Sequence, residues 1–142
     1  MNKWKVSMHD SRKSILNGIL ADRTCREIFM LAAIQDNKSD VFITRLKLTR
    51  RQWYKRSYTL IKLGILERKN GRYILTSFGK IIHSAYLKFE TKVDIALKYY
   101  YALMAIDSID ADSDSDKEHA KIIDKLIEDK DIKMIVGGIG KH

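Results

Sequence analysis

The stretch that decides the fold runs from Thr44 to Lys80 and reads TRLKLTRRQWYKRSYTLIKLGILERKNGRYILTSFGK. Its Thr49 suits the cap of a helix, because a threonine hydroxyl can accept hydrogen bonds from the amides of the first turn. That helix is predicted over 50–63, and Gly64 ends it, since glycine readily adopts the left-handed conformation found at helix ends. The strand-like runs 65–68 and 72–75 then flank Asn70-Gly71, a pair that strongly favours a tight β-hairpin.

Upstream of this stretch, apolar residues recur at helical spacing and predict three further helices. The first is expected over 10–21, with Asp10 or Ser11 as its cap. The second is expected over 24–35, with Ile28, Leu31 and Ala32 pointing inward. A turn at 36–39 leads to a short helix over 40–46, and Lys47-Leu48 forms the tight connection to the helix that Thr49 caps.

Downstream of the hairpin, Thr76 is placed to cap a helix whose apolar residues continue at three- and four-residue steps from Phe78 to Met104. This pattern predicts one long helix or two nearly continuous ones. An acidic connector is expected over 107–116, followed by an amphipathic helix over 117–128. A last short element containing Ile132, Ile135 and Val136 precedes a loose tail over 137–142.

The composition bounds the classes of protein to which the chain can belong. It has 142 residues, no proline and one cysteine, so an intrachain disulfide is excluded. No apolar run approaches the roughly 20 residues that span a bilayer, and no signal segment is recognised at the start. The sequence therefore predicts a soluble, cytoplasmic protein with no membrane partner.

Positive charge is concentrated in the first two thirds of the chain. Residues 1–92 hold 20 Lys and Arg against 7 Asp and Glu, whereas 93–142 hold 7 against 11, for a net charge of +9 overall. A basic body with a mildly acidic tail favours a polyanionic partner. The alternative is that the surface lysines only confer solubility.

The motifs within 44–80 resemble those of winged-helix DNA-binding regulators of the MarR, ArsR and PadR kinds, including their archaeal versions. The residues that carry the resemblance are Leu46-x-Leu48-Thr49, Trp53, Leu60, Leu63-Gly64-Ile65-Leu66-Glu67-Arg68, Asn70-Gly71 and Leu75-Thr76-x-x-Gly79-Lys80. The chain departs from the pattern at Trp53, where a smaller aliphatic residue is usual, and at Ser57, where leucine is favoured. The two departures suggest a large-for-small exchange in the core.

The predicted helix over 50–63 has a buried side containing Trp53, Leu60 and Leu63 and a basic side that faces away from it. An α-helix fits the major groove of B-form DNA, and arginine, lysine and glutamine suit the edges of guanine and adenine. Arg51, Gln52 and Lys55 are the candidates for direct base contacts. The candidates for phosphate contacts are Thr49, Arg50, Tyr54, Arg56 and Tyr58.

Two further groups of cations extend this predicted interface. Arg68, Lys69 and Arg72 surround the tip of the hairpin, which acts as the wing and is expected to contact phosphates. Arg45 and Lys47, on and after the short helix, are placed to contact phosphates on the other side. The alternative for Tyr54 and Tyr58 is that both are half-buried packing residues.

The apolar stripe beyond the hairpin is too long for one small domain to cover, because 30 residues of helix extend about 45 Å. Homodimerisation through paired long helices is the favoured prediction, and it implies a palindromic DNA site. The alternative is that the stripe completes the core of the monomer. The candidate interface residues are Tyr86, Phe89, Val93, Leu97, Tyr100, Tyr101 and Met104.

Other chemistry-bearing residues point to no catalytic or metal site. The aspartates from Asp107 to Asp116 fail the calcium-loop pattern, which needs glycine at Ser115 and glutamate at Lys121. Cys25 is interpreted as a core residue. The four histidines have no metal-ligand or triad spacing, so no enzyme, no metal and no cofactor is expected.

The sequence thus predicts a mainly α fold with a small β-hairpin: a winged helix-turn-helix domain with long C-terminal dimerisation helices. Its segments are an N-terminal helix (1–22), the DNA-binding domain (23–80), the dimerisation helix (81–106), and an acidic linker with C-terminal helix and tail (107–142). The predicted function is sequence-specific binding of double-stranded DNA to regulate transcription. The alternatives are a protein-interaction module, or a sensor whose small-molecule effector binds near Tyr99, Tyr100 and Tyr101.

Overall fold

The computed structural model describes residues 3–110 and 116–138, with side chains over 9–108 and 118–138. The fold is mainly helical with one small antiparallel hairpin, as the sequence predicts. The elements are α1 (Lys3–Ala21), α2 (Arg23–Ile34), α3 (Ser39–Leu46), α4 (Arg50–Leu63), β1 (Leu66–Lys69), β2 (Arg72–Leu75), α5 (Ser77–Lys98), α6 (Tyr100–Asp110), α7 (Asp116–Leu126) and α8 (Lys130–Gly137).

The chain divides into two compact units, Met1–Leu87 and Lys88–His142, and the division falls within α5. Ile19 of α1 is buried in the same core as α2 and α4, so the N-terminal helix is part of the first unit. Among the described residues, no helix combines the length and the apolar character that crossing a bilayer requires.

Three aromatic rings from three elements form the centre of the first core. The Trp53 ring of α4 stacks on the Phe42 ring of α3, with centroids 4.6 Å apart and planes at 20°. Tyr73 of β2 meets the Trp53 ring edge-on at 4.9 Å. Ser57, one turn after Trp53, is also buried. The inward orientation predicted for Trp53 is therefore confirmed.

The hairpin has the geometry that Asn70-Gly71 predicts. Lys69 pairs with Arg72, and the two turn residues have φ values of +53° and +75°, as a type I′ turn requires. β1 begins at Leu66 rather than at residue 65, because the Ile65 amide donates to the Leu60 carbonyl of α4 at 3.0 Å and not to the opposite strand. The predicted turn at 36–39 also differs, since Asn37 exchanges backbone hydrogen bonds with Tyr73.

Two helix starts differ from their predictions. α1 begins at Lys3, so Asp10 and Ser11 lie inside the helix and the predicted caps there are wrong. The residues before Asp10 contain neither glycine nor proline, and nothing local stops the helix from extending through them. α2 begins at Arg23 and is capped by Asp22, whose carboxylate accepts the Cys25 amide at 2.9 Å.

The second unit has its own small core. α5 and α6 are separated only at Tyr99, so the prediction of two nearly continuous helices is confirmed. The buried Tyr99 packs with Ile106, Ile123, Ile127 and Ile132, and its hydroxyl accepts the Glu128 amide at 3.3 Å. The C-terminal helices α7 and α8 therefore bury Ile123 and Ile132 within the chain itself.

The predicted boundaries after residue 106 need correction. Residues 107–110 complete α6 rather than beginning a connector, and Gly137 ends α8 rather than starting a loose tail. Asp116, the last residue of the predicted connector, instead begins α7, and this helix ends at Leu126 rather than at 128. The rest of the connector, 111–115, and the tail at 139–142 lie outside the described residues.

A threonine and a glycine hold the start of α5 against the end of α4. The Thr76 hydroxyl accepts the Gly79 amide at 2.9 Å and donates to the Gly64 carbonyl. A Cβ on Gly79 would lie 2.3 Å from the Ile65 carbonyl oxygen. Only glycine permits this approach, which explains Leu75-Thr76-x-x-Gly79.

Replacing Gly79 with alanine should lower the free energy of unfolding by about 1 to 3 kcal/mol, the usual cost of overpacking. The matched control is Gly18→Ala in α1, where an added Cβ meets nothing within 4 Å. There the higher helix propensity of alanine should stabilise the protein by up to about 1 kcal/mol. The stability of both variants is measured by urea unfolding, monitored by circular dichroism. If Gly79→Ala proved as stable as the parent protein, that result would contradict the close approach.

Candidate nucleic-acid interface

The N-terminus of α4 is fixed by a reciprocal cap. The Thr49 hydroxyl accepts the Gln52 amide at 3.1 Å, while the Gln52 side-chain oxygen accepts the Thr49 amide at 2.9 Å. These bonds leave the amides of Arg50 and Arg51 pointing out of the positive end of the helix. The predicted adenine contact of Gln52 needs its amide oxygen and nitrogen together, and the cap already uses the oxygen.

A short connection joins α3 to α4. Lys47 ends α3 with a φ of +54°, and the Leu48 amide donates to the Ile43 carbonyl at 3.0 Å. This left-handed residue turns the chain sharply, so α4 begins soon after α3 ends. Arg45 and Lys47 remain exposed beside the start of α4.

The exposed side of α4 carries a single line of long side chains. Trp53, Ser57 and Leu60 form its buried side. On the opposite side, residues spaced by four, three and four positions follow one another along the helix. They are Arg51, Lys55, Tyr58 and Lys62, and we call them the α4 line. Lys62 was not among the predicted site residues, although its spacing from Tyr58 would have revealed it.

Most cations near the start of α4 and along its exposed side have no acidic partner. Within the part of the chain that the structure describes, no salt bridge involves Arg45, Lys47, Arg50, Arg51, Lys55 or Lys62. Acidic residues of the first unit instead pair with cations elsewhere, as in Arg23–Glu27 at 2.9 Å. Positive charge on this side of α4 is therefore uncompensated.

Arg56 differs from these cations. Its Nε donates to Asp22 at 3.1 Å, and its side chain is only 28% exposed. The bond joins the cap of α2 to the middle of α4. Arg56 therefore serves as a contact between helices, whereas the sequence assigned it to phosphate binding.

The hairpin cations are exposed and only loosely held. Lys69 lies 3.7 Å from Glu67, and Arg72 lies 3.8 Å from Asp36. The Arg68 guanidinium lies over the Tyr73 ring, 5.8 Å from its centroid. Exposed ion pairs of this kind contribute little, so they can be exchanged for contacts with a phosphate.

The two tyrosines of α4 are exposed, Tyr54 by 55% and Tyr58 by 65%. The alternative that both are half-buried packing residues is therefore wrong. Aromatic side chains this exposed are typical of binding surfaces, where a flat apolar face meets a partner.

The predicted dimerisation residues fall into two groups. Tyr86 is half-buried and packs edge-on against Phe29, with centroids 6.5 Å apart, so it contributes to the first core. The others are exposed, from 38% for Val93 to 83% for Tyr101. This exposed group consists of Phe89, Val93, Leu97, Tyr100, Tyr101 and Met104, and we call it the α5–α6 stripe.

The remaining candidate chemistry finds no site. Cys25 is buried. Its burial, and to a smaller extent the nearby Asp22 carboxylate, raises the pKa of the thiol to about 12, which keeps it protonated. Asp107 and Asp110 belong to α6, while Asp112 and Asp114 lie outside the described residues. Over 3–110 and 116–138, no cluster of His, Cys, Asp and Glu is arranged to hold a metal ion.

The sensor alternative placed a ligand beside Tyr99, Tyr100 and Tyr101. Tyr99 is a core residue of the second unit, and the rings of Tyr100 and Tyr101 meet edge-on at the surface. An open groove of about 550 Å³ lies instead between α1 and α4, with Arg12, Ile15 and Lys62 in its lining.

Asp22 links stability to pH. Hydrogen bonds from the Cys25 amide and then from Arg56 lower the pKa of its carboxyl below 3.8. The charged form therefore stabilises the fold above that pH, and this contribution is lost as the pH falls through the folded-state pKa. Asp22→Asn, which keeps a capping oxygen, should be less stable than the parent by up to about 1 kcal/mol at pH 6.

At pH values well below 3.8 that difference should shrink, because both side chains are then mostly neutral. Urea unfolding at pH 6 and in acid measures it. In an Arg56→Met background, Asp22→Asn should cost less at pH 6, since only the amide contact remains. A difference in stability between the parent protein and the Asp22→Asn variant that grows on acidification would contradict the lowered pKa.

Comparison with known proteins gives no assignment for this surface. The chain matches no family model, no curated protein and no solved structure. Its function is therefore inferred from its own residues and geometry.

Proposed function

We propose that this protein is a homodimeric winged helix-turn-helix regulator that binds double-stranded DNA, with α4 as its recognition helix. The observation that carries the proposal is the α4 line, in which uncompensated cations follow one side of a helix whose other side is buried. A helix presented in this way suits the major groove, into which its N-terminal residues reach.

The first two turns of α4 have several tasks in this proposal. Arg51 and Lys55 donate to guanine acceptors in the groove. The amides of Arg50 and Arg51, at the positive end of the helix, hold a phosphate. The capping bonds of Thr49 and Gln52 fix the direction in which these donors point, because they define where the helix begins.

The hairpin and α3 contact the DNA backbone on either side of α4. Arg68, Lys69 and Arg72 on the hairpin act as the wing, and Arg45 and Lys47 contact phosphates next to the start of α4. These contacts set register without reading sequence. The first unit holds 18 Lys and Arg against 6 Asp and Glu, which supports a polyanionic partner.

The α5–α6 stripe supports homodimerisation. Its six exposed apolar residues lie on helices whose other side already packs against α7 and α8 through Ile95, Tyr99 and Leu103. An extended apolar patch of this kind is typical of a protein–protein interface. Two copies joined there present two recognition helices and would bind a palindromic site in a promoter.

The DNA contact is tested with Arg51→Ala, which should weaken binding to a fragment from upstream of the gene by about 1 to 3 kcal/mol. The matched control is Arg23→Ala, which removes the same charge from an exposed arginine on α2 that pairs with Glu27. Fluorescence anisotropy over a range of salt concentrations measures both. Binding of the parent protein should weaken steeply with salt, because phosphate contacts release counterions.

A flat salt dependence, or equal losses in the two variants, would contradict the assignment of α4 to the major groove. Failure to shift any upstream fragment in a gel would favour the alternative of a protein-interaction module.

The dimer is tested with Leu97→Glu, which places a charge in the α5–α6 stripe. Leu97 is 62% exposed within one chain, so the variant should fold but sediment as a monomer at micromolar concentration. The matched control is Met134→Glu on α8, an apolar residue that is 55% exposed and lies outside the stripe. A parent protein that sediments as a monomer, or equal effects of both variants, would overturn the proposed interface.

A further inference from the structure

A second feature of α4 is an open trough between this helix and the hairpin. Its volume is about 600 Å³, within the range of small-molecule sites. The buried side chains of Ser57 and Tyr73 form its floor. The residues that line its sides and rim are Tyr54, Lys55, Tyr58, Thr59, Ile61 and Arg68.

The chemistry of this lining suits a flat, polar ring that is joined to negative charge. Tyr54 and Tyr58 lie one helical turn apart and expose more than half of their surface. The Arg68 guanidinium lies over the Tyr73 ring in the same trough, 5.8 Å from its centroid, and adds a further planar group to the lining. Lys55 and Arg68 bring positive charge to the rim, where an apolar peptide or lipid tail would leave both uncompensated.

We propose that this trough binds an unpaired nucleobase, so that the protein prefers duplexes carrying an extruded or single-stranded base. Bases stack on tyrosine rings and on arginine guanidinium planes, and the flanking phosphates pair with nearby cations. This inference rests on the proposed function, because Lys55 and Tyr58 belong to both the trough and the α4 line. A strand that follows the line therefore passes directly over the trough.

The position of Tyr58 sharpens the assignment. It stands between Lys55 and Lys62 in the α4 line, so phosphates on both sides of a stacked base have a cation within about one turn of helix. Tyr58 thus places an exposed ring between two cations, an arrangement in which a base can stack while its flanking phosphates are paired.

The experiment compares three fluorescent probes: a fully paired duplex, the same duplex with one central unpaired thymine, and single strands of oligodeoxythymidine or oligouridine. The bulged duplex should bind roughly tenfold more tightly than the paired one, the scale of one stacked base. Tyr58→Leu should abolish this preference, and Tyr58→Phe should keep it. Phe78→Leu, at an aromatic residue of α5 that is 39% exposed and belongs to neither the trough nor the α5–α6 stripe, is the control and should change nothing.

The two single strands distinguish DNA from RNA as the source of the unpaired base, because contacts with the 2′-hydroxyl would favour oligouridine over oligodeoxythymidine. Thermal unfolding verifies that each variant folds, and Tyr54→Leu replaces Tyr58→Leu if the latter does not. Equal affinity of the parent protein for paired and bulged duplexes would overturn the inference and leave duplex binding intact. So would a loss in Tyr58→Leu that is the same for both duplexes.

Binding to single strands without binding to duplex would overturn the proposed function while supporting the trough. Binding to no probe would overturn both.

Discussion

The stacking of Trp53 on Phe42 is the contact on which the rest of the first unit depends. It joins α3 to α4, and the edge-on contact with Tyr73 adds the hairpin. Such aromatic contacts contribute about 0.5 to 1.5 kcal/mol each beyond the apolar area they bury. Because Trp53 is completely buried, it sets the rotation of α4 about its own axis and thereby directs the α4 line to solvent. The indole Nε1 has no hydrogen-bond partner among the described residues, a cost that the packing of three rings offsets.

That rotation separates two kinds of chemistry on a single helix. The buried side contains an indole, a serine and a leucine, while the other side holds cations that cannot be buried without partners. Arg56, at the boundary, is half-buried and pairs with Asp22. The α4 arginine that approaches the core is thus paired with a carboxylate, whereas among the described residues no salt bridge involves the solvent-facing cations of α4.

Local signals made much of this arrangement predictable from the sequence. Thr49, Gly64, Asn70-Gly71 and Thr76 act through their own backbone neighbourhoods, and the elements that they delimit lie where expected, to within one residue. Contacts between distant residues were not predictable. The Asp22–Arg56 pair spans 34 positions, and the bridge from Asn37 to Tyr73 depends on how α2 packs on the hairpin. The role of Gln52 was missed for a different reason, because glutamine suits a helix cap and an adenine edge equally well.

The division of charge between the two units bears on how two copies would associate. The first unit, with 18 basic and 6 acidic residues, would repel a second copy of itself. The second unit holds 9 Lys and Arg against 12 Asp and Glu, so two copies meeting through it face far less repulsion. The α5–α6 stripe begins at Phe89 and lies entirely within this second unit. Association through the stripe therefore meets less repulsion between like charges than association through the first unit would.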